Sequence, residues 1–197
     1  MKNVKHDNTN APAKIALRKH FLDLMRPRKI LECYAGEERQ MYHACYQGYD
    51  VTALDIKGGR GVKKIDNRRY VRNHADEYDF FDLDAYGSPY PLLATLLARR
   101  TNPAPFTVII TDGTKLNLSY QHPPYILGGP ARIPKTLAIP GLRRFHGELV
   151  HYLLRAMSDH YNVEFSHLVA ATGKLKNMAY FGFIARKREG HIGDLRP

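Results

Sequence analysis

Long apolar runs are missing from this chain. No stretch approaches the ~20 residues that cross a bilayer, and the opening MKNVKHDNTNAPAK lacks the apolar core of a secretion signal. A soluble, cytoplasmic protein without membrane contact is expected. Cysteine is nearly absent as well: Cys33 and Cys45 are the only two, in no CxxC pair and beside no set of histidine ligands. That argues for a reducing compartment and against structural zinc, so no metal is expected. Nothing repeats internally. Acids are scarce relative to bases, with Asp+Glu 19 against Lys+Arg 30, a formal charge of +11 and a pI near 9.7. So large an excess implies a polyanionic partner, nucleic acid ahead of a membrane surface. The 197 residues suffice for one domain with a full core and are too few for two ordinary ones. A single domain over 1–197 is expected, with loosely ordered tails at about 1–11 and 188–197 and a long substrate loop at 113–146.

What is present alternates between strand and helix. PAKIALRKHFLDLM places Ile15, Leu17, Phe21, Leu22, Leu24 and Met25 at helical spacing, and Pro27 ends the segment. KILECYAG reads as a short buried strand entering a turn, EERQMYHACYQG as a helix closing on Gly48, and YDVTALDIK as a second strand ending on Asp55. GVKKID predicts a brief third strand, RRYVRNHADE a short helix, YDFFDLD a fourth strand, PYPLLATLLARR a helix with proline at its start, and FTVIITDG a β-branched fifth strand. From Gly113 to His146 there is no sustained periodicity, and prolines recur at 123, 124, 130, 134 and 140. ELVHYLLRAMSDHY then predicts an amphipathic helix, and VEFSHLVAAT and MAYFGFIARK two last strands joined by GKLKN. The fold class is α/β, with a doubly wound, mostly parallel sheet covered on both faces.

Such sheets bind ligands at the carboxyl ends of their strands, and acids recur there. Glu32 lies in the first strand, Gly36 in the turn after it, Asp55 at the end of the second strand and Asp66 just after the third. An acid ending the second strand accepts hydrogen bonds from ribose hydroxyls, and the first turn offers backbone N–H groups. ECYAGEERQ carries one glycine only, so the G-x-G-x-x-G fingerprint is missing and NAD is disfavoured. Glu37 and Glu38 would repel a pyrophosphate yet tolerate a ligand with an amino group and a sulfonium, as S-adenosylmethionine has. Taken singly, each of these residues is also an ordinary turn or cap acid. Their order along successive strands favours the cofactor.

The segment FFDLDAYGSP resembles motif IV of the class I S-adenosylmethionine-dependent methyltransferases, and within them the tRNA guanine N2-dimethyltransferases, which carry D-L-D-P-F-G-S-P after the fourth strand. Asp82, Leu83, Asp84, Gly87, Ser88 and Pro89 match, and Ala85 and Tyr86 stand in place of Pro and Phe. The resemblance continues in TVIITDG and at Glu148 in HGELVHYLL, and covers roughly residues 29 to 187. It implies a Rossmann-like methyltransferase fold whose last strand inserts antiparallel. Archaeal and eukaryotic members carry a further carboxyl-terminal domain, for which this chain has no length.

The residue types suit that chemistry. An exocyclic amine on a nucleobase is a poor nucleophile because its lone pair is delocalised into the ring. Asp84 as hydrogen-bond acceptor, with the Ala85 carbonyl taking the other N–H, would turn that lone pair toward the sulfonium. Tyr86 would supply a stacking face and Gly87 room for the base. Asp84 and Tyr86 are therefore the candidate catalytic residues; Glu32, Gly36, Asp55 and Asp66 the candidate cofactor residues; and Ala85, Gly87, Arg132, Arg143 and Arg144 the candidate substrate residues. The loop adds Lys115, Tyr120, His122, Tyr125 and Lys135, basic and aromatic content suited to phosphates and unstacked bases. KGGRGVKK offers a further phosphate contact. The expected activity is methyl transfer to guanine N2 in RNA, tRNA first. A DNA amino-methyltransferase and a non-catalytic nucleic-acid-binding protein remain alternatives.

Overall fold

Successive residues of the central strands are apolar, which demands cover on both faces of the sheet. The computed structural model describes residues 11–85, 87–113, 146–172 and 178–188. Its strands are β1 (Lys29–Cys33), β2 (Asp50–Asp55), β3 (Lys63–Lys64), β4 (Phe80–Leu83), β5 (Phe106–Asp112), β6 (Val163–Thr172) and β7 (Ala179–Lys187), ordered β3-β2-β1-β4-β5-β7-β6. The first five run parallel, and β7 lies antiparallel between β5 and β6. This is the expected mixed sheet with an antiparallel last strand. Strand order reverses between β1 and β4, which puts the ligand crevice of a doubly wound sheet at their carboxyl ends.

The helices are α1 (Ala11–Met25), α2 (Asn67–His74), α3 (Tyr90–Arg99) and α4 (His146–Tyr161). Ile30, Phe80 and Ile109 point to one face, where Leu17, Phe21 and Leu22 of α1 cover them. Their neighbours Leu31, Phe81, Val108 and Ile110 point to the other, against Leu92, Leu93 and Leu96 of α3 and Leu153 of α4. Each such side chain contributes about 1.5–3 kcal/mol when fully buried. The approach of α1 to the sheet is close enough to require Gly182 on β7, because a Cβ there would lie 2.3 Å from Cε2 of Phe21.

One predicted helix differs. EERQMYHACYQG becomes helical only from Gln40, and Tyr42–Tyr46 form a wide π-helical turn. Residues 34–39 form a turn in which Tyr34, Gly36 and Arg39 all have positive φ (59°, 66° and 46°), a conformation incompatible with a helix beginning at Glu37. The connection GKLKN, the tails as far as residue 10 and from 189, and the loop from 114 to 145 lie outside the described residues.

Candidate functional site

A strand alternates its side chains, so the two acids of FDLD share one face. Asp82, inside β4, points toward α1 and is fully buried. Arg18 of α1 meets it with two donors, Nε to Oδ2 at 2.7 Å and Nη2 to Oδ1 at 2.7 Å, and the Tyr46 hydroxyl donates to Oδ2 at 2.7 Å. A bidentate pair with a third donor leaves this carboxylate satisfied. Burial still lifts Asp82 above the ordinary carboxylate value, with the Arg18 cation opposing and the neighbouring Asp84 charge adding. Asp82 is thus a buried anchor for α1.

Asp84 lies just past the strand end, where the Ala85 N–H donates back to the Leu83 carbonyl at 2.9 Å and forces a tight turn. Its side chain retains 18% exposure. Lys14 Nζ sits 2.8 Å from Oδ1 and 3.0 Å from Oδ2, and Arg18 Nη2 is 3.6 Å away. Burial pushes Asp84 upward, but the Arg18 and Lys14 cations outweigh it, and the carboxyl is held below its ordinary value. It is therefore an ionised hydrogen-bond acceptor and a weak base. Ala85 is buried, and at Gly87 a Cβ would meet nothing within 4 Å. Tyr86, Arg132, Arg143 and Arg144 lie outside the described residues.

The predicted cofactor residues gather around β1 and β2. Asp55 ends β2, accepting from the Gly36 N–H at 3.2 Å through Oδ2 and from the Lys57 N–H at 2.8 Å through Oδ1. Each oxygen keeps a second lone pair for a ribose hydroxyl. Gly36 has open space where a Cβ would stand. Glu32 is 2% exposed, and its Oε2 has no hydrogen-bond partner, with Arg39 Nε the nearest cation at 3.6 Å. Burial, reinforced by the charge of Asp82 and opposed by Arg39, pushes its carboxyl up to about 7. Asp66 is exposed and caps α2, accepting from the Arg69 N–H at 2.9 Å; its cap role and its place beside the crevice coexist.

At the end of β5, the Tyr90 hydroxyl donates to Asp112 Oδ2 at 2.6 Å, and His146 Nε2 lies 3.2 Å from the same oxygen. This cluster fixes the start of α4 beside β5. Gly113 N–H donates to the Gly87 carbonyl at 3.0 Å, which ties β5 to the turn after Asp84. Glu148, one turn into α4, is exposed.

Three features escaped the sequence reading. Ile56, directly after Asp55 at the end of β2, is a 67% exposed apolar side chain. Arg18 and Lys14, one helical turn apart, reach β4 from α1. Arg18 does carry a signal: it falls on the stripe of Phe21 and Leu22, where a cation needs a partner. Lys14 reads in the sequence as a solvated lysine.

No protein-family model and no curated protein matches the sequence. Solved structures do resemble it. Trm1 from Pyrococcus horikoshii, in complex with S-adenosyl-L-methionine, superposes with a TM-score of 0.60 at 17% identity over 89% of this chain, which spans 54% of that one. The 1,6-didemethyltoxoflavin-N1-methyltransferase of Burkholderia thailandensis gives 0.53 at 17% identity, covering 95% of this chain and 82% of that one. An O-methyltransferase from Bacillus cereus in complex with SAH gives 0.52 at 15%, covering 89% and 81%. These likenesses, together with the strand order, show that the chain has the Rossmann-like fold of S-adenosylmethionine-dependent methyltransferases.

Proposed function

We propose that the protein binds S-adenosylmethionine and methylates an exocyclic nitrogen of a nucleobase, guanine N2 in RNA, with tRNA the first substrate to test. The observation that carries this reading is the placement of Asp84: a carboxylate held ionised, partly open, on a tight turn at the end of β4. The residues of the crevice fit the cofactor. Asp55 would accept from the ribose hydroxyls, Ile56 would pack against the adenine, and the turn at Gly36 would admit the methionine portion. Glu32, with an oxygen lacking a partner, suits an ammonium group. When bound, the cofactor supplies a methyl group on a sulfonium, an electrophile whose departure leaves a neutral thioether.

The protein's own part is orientation. Asp84 accepts an N–H of the amine and holds the nitrogen so that its lone pair is less delocalised into the ring and points toward the sulfonium. Because Lys14 and Arg18 depress its basicity, Asp84 does not ionise the amine beforehand. Once the nitrogen bears the methyl group and a positive charge, its proton is acidic enough to pass to this carboxylate. A base within a duplex reaches this turn only when flipped out of its stack.

The reading is tested by incubating the protein with methyl-labelled S-adenosylmethionine and separate pools of tRNA, rRNA and DNA, followed by nucleoside analysis. Label in N2-methylated guanosine from RNA is the expected result. Transfer to an oxygen, to DNA alone or to none of the pools refutes it.

A further inference from the structure

We infer that the sheet edge formed by the 57–64 turn, β3 and α2 is a binding surface for the RNA phosphate backbone. Lys57, Arg60, Lys63, Lys64, Arg68, Arg69 and Arg72 are all exposed there. None of the seven belongs to a salt bridge among the described residues. Four of the bordering acids are engaged, and a fifth, Glu37, whose backbone meets Gly59 of the turn, is exposed. Asp55 holds the N–H groups of Gly36 and Lys57, Asp66 holds that of Arg69, Asp76 those of Thr101 and Asn102, and Glu77 pairs with His74 and Lys29.

The pieces form one surface. Lys63 Nζ lies 5.2 Å over the Tyr70 ring of α2, joining β3 to the helix, and Lys64 packs against Gly58 of the turn. Arg68 and Arg72 are four apart and so share one face of α2. Charged side chains on an edge strand also serve to block pairing between sheets, which accounts for Lys63 and Lys64. It does not account for arginines continuing along α2. A membrane surface fits less well, because interfacial binding needs apolar side chains among the cations. Among the described residues the exposed large hydrophobics are Leu24, Ile56 and Tyr152, and only Ile56 adjoins this edge, a single apolar side chain among seven cations.

Three strand spacings separate β3 from β4, about 14 Å at ~4.8 Å each. That is the distance across the sheet from this edge to the strand that leads into Asp84. The inference rests on the reading of RNA as substrate, but its test does not depend on turnover.

The test is fluorescence anisotropy of labelled, unfractionated tRNA across a salt series, with thermal melting and S-adenosylmethionine calorimetry as controls on folding. In the variant Lys64→Gln, Arg68→Gln, Arg72→Gln, affinity should fall roughly tenfold or more at ~0.1 M salt, and the slope of log K against log salt should flatten by about 3, one for each phosphate contact removed. The charge-conserving variant Lys64→Arg, Arg68→Lys, Arg72→Lys should bind like the unaltered protein. Equal loss in both variants makes the effect structural and overturns the inference. Unchanged affinity and slope in the first variant also overturn it, most plainly if Arg143→Gln with Arg144→Gln abolishes binding instead. Vesicles of phosphatidylcholine and phosphatidylserine should not sediment with the protein; binding to them as strong as to tRNA, lost in the first variant, assigns the edge to lipid and overturns the RNA assignment. A flattened slope without methyl transfer to any pool upholds this surface and removes only the proposed activity.

Discussion

Replacing Glu32 by Gln keeps the shape of a buried side chain and removes its charge. Burial, with Asp82 adding to it and Arg39 opposing, raises the Glu32 carboxyl from 4.5 to about 7. At about 1.36 kcal/mol per pKa unit, that interval corresponds to about 3 kcal/mol. Between those two values the folded chain retains a proton that the unfolded chain has released. Stability from this residue is therefore present at low pH, falls as pH rises through the interval and levels off above about 7. Glutamine does not titrate, so the variant should lack this loss. Urea unfolding at pH ~4.5 and pH ~8 measures it: the unaltered protein should lose about 3 kcal/mol more than the variant between them. In the proposed cofactor site an ammonium group beside the same carboxyl would draw its pKa back down. S-adenosylmethionine binding should then release a proton near pH ~7, detectable by calorimetry in buffers of different ionisation enthalpy, and Glu32→Gln should abolish that release. Parallel pH dependences of unfolding in the two proteins would refute the reasoning on burial. Proton release that persists in the variant would remove Glu32 from the cofactor site.

Three further outcomes follow from the same geometry. Asp84→Asn should lower methyl transfer about 10²–10⁴-fold while leaving S-adenosylmethionine binding intact; equal loss of cofactor binding by calorimetry would place Asp84 in the cofactor pocket. Arg18→Met leaves the Asp82 carboxylate buried without its cation and should cost about 3–5 kcal/mol in chemical unfolding, much of it recovered when Asp82→Leu is added. Gly182→Ala forces a Cβ against Phe21 and Ile109 and should cost about 1–3 kcal/mol, read as a thermal midpoint lowered by roughly 2–12 °C.

The fold was legible because its signals are local. An aromatic apolar run gave β4 and a β-branched one gave β5, helical spacing gave α1 and α4, and the proline opening PYPLL marked α3 within a residue or two. The strand-end acids were legible for the same reason, since a doubly wound sheet places the end of each strand in the crevice whatever the rest of the chain does. Asp55 and Asp84 stand where their order along the strands put them. The helix expected from Glu37 failed because left-handed Arg39 falls in its first turn, after left-handed Tyr34 and Gly36 just before it, and only Gly36 among the three announces that conformation in a sequence.

What the two acids of FDLDAYGSP meet was decided by tertiary contacts. Alternation alone puts Asp82 and Asp84 on one face and says nothing of what they meet there. Arg18 lies 64 residues from Asp82 in sequence, and Lys14 lies 70 from Asp84. Those pairings exist because α1 crosses this face of the sheet on Phe21, at a closeness that Gly182 permits. In the sequence alone, the doubly wound α/β class and the strand-end acids follow from periodicity and strand ends, and the antiparallel last strand from the resemblance at FDLDAYGSP. The division of labour between a sealed carboxylate that anchors α1 and an open one that faces the crevice depends on which side chains a distant helix brings to them, because burial and a neighbouring cation shift a carboxylate in opposite directions.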